Sequence, residues 1–261
     1  MSGYENVAYD SPRPPRVVVF SLASCFGCQV MITNIESHLL DVLGQIDLRY
    51  WQLASSVPMP EDYDVAVVEG AVTTEESEAL VRKIRATAKT VISIGACANT
   101  AGIPGMAADH YYERPIEVYD EVPEAAGTII QPRSVPSVIK VDGQVLCCPI
   151  DPLDFVATLQ SALYGSNRMN STKTLCGDCK LNGTSCFYGK GIVCLGMVTQ
   201  AGCGARCVNL GRPCNGCAGL SVDANLDSAR EACERYGVSV QEFDEALEMF
   251  NQTNSALKAR R

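Results

Sequence analysis

Arg16-Val-Val-Val-Phe-Ser-Leu22, continuing after Ala23 into Ser24-Cys-Phe-Gly-Cys28, sets the reading of the whole chain. An apolar run of strand length passes into a short loop carrying two cysteines. Beyond it Ile32, Ile35, Leu39, Val42 and Leu43 recur at the spacing of one helix face, and Gly44 suits its stop. The unit repeats downstream. Residues 46–53 and 64–69 read as the second and third strands, 74–88 as a charged amphipathic helix and 90–95 as a fourth strand. Residues 137–142 with Val145-Leu146 read as an edge hairpin or a last strand. Asp151-Pro152 then opens a helix whose apolar face is Phe155, Val156, Leu159, Ala162 and Leu163.

Strands alternating with helices predict an α/β domain: a mostly parallel sheet covered on both faces, in a flavodoxin-like layout. In such sheets the loops leaving the carboxyl ends of the strands line one crevice. Cys25 and Cys28 follow the first strand, Cys97 the fourth, and Cys148 the last. Three loops far apart in sequence would thus bring four thiols to one edge. Four convergent thiolates can hold zinc or a [4Fe–4S] cube. Isolated buried cysteines or a redox-active Cys-x-x-Cys pair are the plainer readings. Gly27, Gly95, Gly102 and Gly105 beside these cysteines favour a bulky group that needs close backbone.

The second half differs in kind. Cys176, Cys179, Cys186, Cys194, Cys203, Cys207, Cys214 and Cys217 put eight thiols into 42 glycine-rich residues. Apolar side chains there look too few for an independent core, so metal–sulfur bonds are expected to supply the folding energy. The eight divide into Cys176, Cys179, Cys186 and Cys194, and Cys203, Cys207, Cys214 and Cys217. Each set has one Cys-x₂-Cys pair plus two wider-spaced members, which suits iron–sulfur better than paired zinc knuckles, though two zinc sites remain the alternative. Helices should follow, one with Leu226, Ala229 and Cys233 on its buried face, and one opened by Ser239 and Glu242 and carrying Phe243, Ala246, Leu247 and Phe250. The expected divisions are an N-terminal arm over 1–15, the sheet domain over 16–165, and a loop-rich cluster domain with C-terminal helices over 166–261. Residues 251–261 are expected to fray.

Of 261 residues, 47% are hydrophobic, the formal charge is −9 and 14 are cysteine. The acidity excludes a counterion-releasing nucleic-acid binder. No apolar run is long enough to span a membrane, and residues 1–16 carry no targeting pattern. The expected location is the cytoplasm, where thiols stay reduced and most of these are ligands rather than disulfides.

The order Ser24-Cys25-Phe-Gly-Cys28 after a strand, Gly95-Ala-Cys97 after another, and Cys148-Pro149 before a helix, with the eight cysteines beyond, resembles the small subunit of [NiFe] hydrogenases. The resemblance spans Val17 to Cys217. It implies an electron-transfer subunit of a cytoplasmic, multi-subunit hydrogenase with three [4Fe–4S] clusters. The proximal ligands would be Cys25, Cys28, Cys97 and Cys148, and the distal ones Cys176, Cys179, Cys186 and Cys194. The medial ones would be Cys203, Cys207, Cys214 and Cys217. The nickel–iron centre would lie in a partner large subunit, with a flavin- and iron–sulfur-containing acceptor module as the other partner.

The chain departs from the family pattern in three places. Cys176 stands where many members have histidine. Cys207 can close a medial set that is often three-cysteine. Cys147-Cys148-Pro149-Ile150 replaces a Gly-Cys-Pro-Pro, and the proline favours Cys148 over Cys147 as ligand. All-thiolate ligation lowers cluster potential, which suits ferredoxin, flavin or nicotinamide acceptors. Two other readings are a cluster-bearing subunit of an NADH–quinone oxidoreductase, which shares the first domain, and a non-enzymatic zinc-stapled assembly protein. Glu69, at the same sheet edge, is expected to be a solvated or hydrogen-bonded carboxylate, with proton movement or docking as the functional alternative. His38 and His110 fit no ligand set.

Overall fold

A computed structural model describes residues 13–35, 39–166 and 168–258. His38 lies outside the described residues. The chain divides into two compact units, residues 1–169 and 170–261.

The first unit is built on a five-stranded, all-parallel sheet of β1 (Arg16–Ser21), β2 (Asp47–Trp51), β3 (Val65–Glu69), β5 (Thr90–Ile94) and β7 (Gly143–Val145). Their spatial order is β2-β1-β3-β5-β7. The central strands are buried on both faces, so they read as continuous apolar runs. Alternation divides them. Val17, Val19, Val65, Val67, Ile92 and Ile94 face one core, closed by Trp51 and Ile32 and by Phe155, Leu159 and Leu163. Val18, Phe20, Ala66, Val68 and Val91 face the other, closed by Val81, Ile84 and Val135.

The expected stripe over 32–43 is divided between α1 (Gly27–Thr33) and α2 (Leu39–Leu43). Because α1 starts at Gly27, Cys28 stands in a helical turn and not in the loop expected over 24–28. Helix α3 (Glu75–Thr87) is capped by Thr74, whose side chain accepts from Ser77 N while Ser77 Oγ accepts from Thr74 N. Strand β5 runs into a helix with no counterpart in the sequence expectation, α4 (Gly95–Thr100), followed by the exposed α5 (Glu113–Tyr119).

A small antiparallel pair, β4 (Val72–Thr74) with β6 (Ile129–Arg133), is a further element that periodicity does not predict. These strands are short, and Pro132 interrupts the second. Residues 137–142 form no strand. Val135 and Ile139, four apart, bury together around the helical turn α6 (Val135–Val138), and β7 then pairs parallel to β5 rather than as a hairpin. Asp151 caps α7 (Pro152–Tyr164), its carboxylate accepting from Leu153 N and Asp154 N.

The second unit holds α8 (Leu175–Leu181), α9 (Arg206–Asn209), α10 (Leu226–Arg235), α11 (Val240–Asn251) and α12 (Ser255–Lys258). It has an apolar core, contrary to expectation. Phe187, Tyr188, Leu195, Val198 and Val208, scattered among the cysteines, pack with Leu226, Ala229, Phe243 and Leu247 of the helices. Cys233 is fully buried there, 3.4 Å from the Tyr188 hydroxyl. Ser239 caps α11 through Glu242 N. Residues 251–252, expected to fray, are buried, and α12 continues to Lys258. No helix among the described residues is long and apolar enough to cross a membrane.

Candidate metal centre

In the first unit the cysteines sit just past the carboxyl ends of β1, β5 and β7. The loop after β1 is stitched to the one after β3. Leu22 N donates to Glu69 O at 2.8 Å, and Ala23 and Ala71 exchange backbone hydrogen bonds at 3.2 and 3.0 Å. Gly70 permits that approach: its φ is +94°, and a Cβ there would lie 2.8 Å from Leu22 C. Phe26, with φ +61°, turns the chain so that Cys25 precedes α1 and Cys28 enters its first turn.

After β5, Gly95 turns at φ +81°, and Cys97 lies on α4. After β7, Cys147 adopts φ +81° and its carbonyl accepts from Ala96 N at 2.8 Å. Cys148 joins Pro149 through a cis peptide. Asn99 ties the two loops together. Its amide donates to Gly95 O and Val145 O, both at 3.0 Å, while its oxygen accepts from Ser93 Oγ at 2.7 Å and Gln144 Nε2 at 3.0 Å.

These constraints bring Cys28 within electrostatic reach of Cys97 and Cys148, and Cys97 within reach of Cys25. Burial pushes the Cys28 thiol up to about 12; a hydrogen bond from the Ile150 backbone opposes the rise, and Glu69, Cys148 and Cys97 add to it. Burial also raises Cys97, opposed by the Ile103 backbone and reinforced by Cys25 and Glu69. Cys28 is buried, Cys97 half-buried, and Cys25 and Cys148 exposed. Gly95 admits Cys28, since a Cβ there would lie 2.4 Å from its Sγ.

Glu69 is 1% exposed, and of the two expectations for its carboxylate the hydrogen-bonded one holds. It accepts from Cys28 N at 3.0 Å and from Gln29 Nε2 at 2.9 Å, and Gln29 Oε1 accepts from Trp51 Nε1 at 2.8 Å. This buried chain, Glu69–Gln29–Trp51, fixes the turn that carries Cys28. Gln29 and Asn99 are positioning residues that the sequence does not single out, for a lone amide carries no signal in sequence. His110 is exposed and stands in no thiol set.

In the second unit, α8 places Cys176 and Cys179 one turn apart. Cys176 and Cys194 flank Gly196, whose Cβ would lie 3.6 and 3.7 Å from their sulfurs. Burial, then Cys194, Cys179 and Cys186, push Cys176 up to about 11, with Lys180 opposing. Cys179 is raised by burial and by Cys194 and Cys186. Cys207 is raised by burial and then by Cys217 and Cys203, with Arg206 opposing. Cys214, buried, is pushed up to about 12 by desolvation; Gly216 N, donating at 3.4 Å, and Thr199 oppose, and Cys194 and Cys217 add. Cys214 therefore faces both sets, and its N–H donates to Cys194 Sγ at 3.3 Å.

The three groups are all-thiol, with backbone N–H groups aimed at sulfur, a donor set that fits iron–sulfur chemistry. Among the described residues no three His, Cys, Asp or Glu side chains converge tightly enough for a single metal ion.

Residues 25–162 match the family described as NADH ubiquinone oxidoreductase, 20 Kd subunit, and the chain belongs to that family. Within it, the chain stands among hydrogenase subunits. It is 29% identical over 270 residues to a subunit of the F420-non-reducing hydrogenase vhu of Methanocaldococcus jannaschii, covering 91% of this chain and 93% of that one. It is 31% identical over 212 residues to the sulfhydrogenase 2 subunit delta of Pyrococcus furiosus, covering 80% and 87%. Its fold is shared with a chain of an NAD+-reducing [NiFe]-hydrogenase solved in the H2-reduced state, at a TM-score of 0.55 and 22% identity over 60% of this chain and 95% of that one.

Proposed function

We propose that this chain is the electron-transfer subunit of a [NiFe] hydrogenase, placed between a large subunit that activates H2 and a flavin- and iron–sulfur-containing acceptor module. Cys25, Cys28, Cys97 and Cys148 hold the proximal [4Fe–4S] cluster. Cys176, Cys179, Cys186 and Cys194 hold the distal one, and Cys203, Cys207, Cys214 and Cys217 the medial one. A thiolate-bound four-iron cluster supplies one-electron transfer. The observation that carries this reading is that cysteines from segments far apart in sequence lie close enough to raise one another's thiols, Cys28 with Cys97 and Cys148 in the first unit and Cys176 with Cys179, Cys186 and Cys194 in the second. The relatedness to hydrogenase subunits along nearly the whole chain supports it.

The chain's own residues position and tune. Each thiol set joins one Cys-x₂-Cys pair to two more widely spaced cysteines, a pattern that suits iron–sulfur better than zinc knuckles. Backbone donors at Ile150, Ile103 and Gly216 stabilise negative charge on sulfur, while burial of Cys28 and Cys214 disfavours it and excludes water. With four thiolates in each set and no histidine, the potentials are low. They match low-potential carriers in the cytoplasm.

The test is anaerobic purification of the native complex with iron, sulfide and zinc counts. About twelve irons per chain are expected, with matching sulfide and a nickel-bearing partner. Zinc in place of iron, or a complex without nickel, would falsify the reading. Cys148→Ser should lose the proximal signal in electron paramagnetic resonance, whereas Cys147→Ser should keep it.

A further inference from the structure

The cysteine-rich segment is charged oppositely to the rest of the chain. Residues 176–217 hold Lys180, Lys190, Arg206 and Arg212 against Asp178 alone, a formal +3 within a chain of −9. Two large leucines in the same segment face solvent, Leu181 at 87% and Leu210 at 76% exposure. They stand at the ends of α8 and α9, and these ends are joined. Asn182 Nδ2 donates to Gly204 O at 2.9 Å, Thr184 Oγ1 donates to Asn209 Oδ1 at 2.7 Å, and Asn209 Nδ2 donates to Gly204 O at 3.0 Å. Arg212 N donates to Cys207 O at 2.9 Å, which keeps Arg212 beside α9. Lys190 rests over the Phe187 ring, 5.0 Å from its centroid, next to Cys186. Cys186 and Cys207, one from each thiol set, are the exposed cysteines of this unit.

We infer that this face of the second unit, with Leu181 and Leu210 at its centre and Lys180, Lys190, Arg206 and Arg212 around them, is the docking surface for an acidic electron-carrying protein. The inference rests on the electron-transfer reading above and names the chemistry of the partner. Large apolar side chains this exposed and bordered by charge mark interaction sites. A rim of one sign steers a partner of the other sign and sets the encounter rate. The net positive charge of this segment is complemented by a discrete acidic face on the partner. Both thiol sets reach the surface here, so a docked carrier would stand beside them.

The test uses the purified hydrogenase complex under H2. Each H2 yields two protons and two electrons, which reduce two molecules of a one-electron carrier. The probe is an acidic plant-type ferredoxin, and methyl viologen, a small dication, is the control. The double variant K190Q/R212Q should raise the KM for ferredoxin about ten-fold. It should flatten the fall of ferredoxin reduction with salt and leave kcat and methyl viologen reduction unchanged. L181S/L210S should raise the KM while keeping the salt dependence.

Unaltered KM and salt dependence in both variants, with iron content intact, would overturn the inference. Shifted cluster midpoint potentials with an unaltered KM would overturn it too, by assigning the cations to cluster charge balance. So would a dimer of the complex that the same substitutions dissolve, since the surface would then belong to a second copy. Loss of methyl viologen reduction in the unsubstituted complex would instead defeat the electron-transfer reading, and this inference with it.

Discussion

Gly95 and Asp64 show how single residues set the terms for the first unit. Gly95 stands at φ +81° against the Cys28 sulfur, where a Cβ would lie 2.4 Å away. Gly95→Ala should strain the turn and displace Cys28. Iron counting should then find about eight irons against about twelve expected of the unsubstituted chain. Asp64 is buried beneath Arg13 and Arg16. Burial pushes its carboxyl up, but the Arg16 N–H and the two guanidinium groups outweigh burial and hold it down to about 2. A carboxyl depressed in the folded state stabilises above its ordinary range, and that stability is lost as pH falls through about 2. Asp64→Asn should therefore lower stability near neutrality by about 2 kcal/mol. In urea melts the difference should shrink as pH falls from 4 towards 2.

At the scale of elements, the site depends on how strands end. β1, β5 and β7 stop at the same edge, and each is followed by a residue with positive φ: Phe26, Gly95 and Cys147. Asn99, at the end of α4, holds the last two loops in register through four hydrogen bonds. Asn99→Ala would leave the Val145 and Gly95 carbonyls and the Ser93 hydroxyl without this partner. The expected cost is about 2 kcal/mol, read as a lower thermal midpoint, with slower uptake of iron by the proximal set in reconstitution. Asn99→Asp should not rescue, because a carboxylate cannot donate to the two carbonyls.

Over the whole molecule, the two units rest on different foundations. The first has two cores around its sheet, made almost wholly of aliphatic and aromatic side chains, with Cys28 as their one cysteine among the described residues. The second mixes its core with its thiols: Cys214 is a core member, and Cys179, Cys194 and Cys203 pack against it. Removing iron by chelation should therefore act unequally. Hydrogen exchange should keep β1, β3 and β5 protected, while amides of residues 176–217 lose protection. Helices α10 and α11, tied by Arg230 to Asp244 at 2.7 and 3.0 Å, should respond in between. Uniform loss of protection across both units would contradict this division.

Much of the fold could be read from the chain because local rules and tertiary demands agree there. Apolar runs of strand length became β1, β3 and β5, and Asp151 and Ser239 capped the helices their positions implied. The cysteines announced themselves by number and by their place after strands. Other features carried no local mark. Leu195, Val198 and Val208 look sparse among glycines, yet they form a core because α10 and α11 cover them. Glu69 at a strand end reads as a solvated or hydrogen-bonded carboxylate, and only the fold decides for the second, because the turn of α1 supplies its donors. Periodicity and capping depend on neighbours within a few residues, so they are written in the chain. Burial, hydrogen-bond partnership and the pairing of distant loops depend on groups tens of residues away, and those become neighbours only when the sheet has brought its strand ends together.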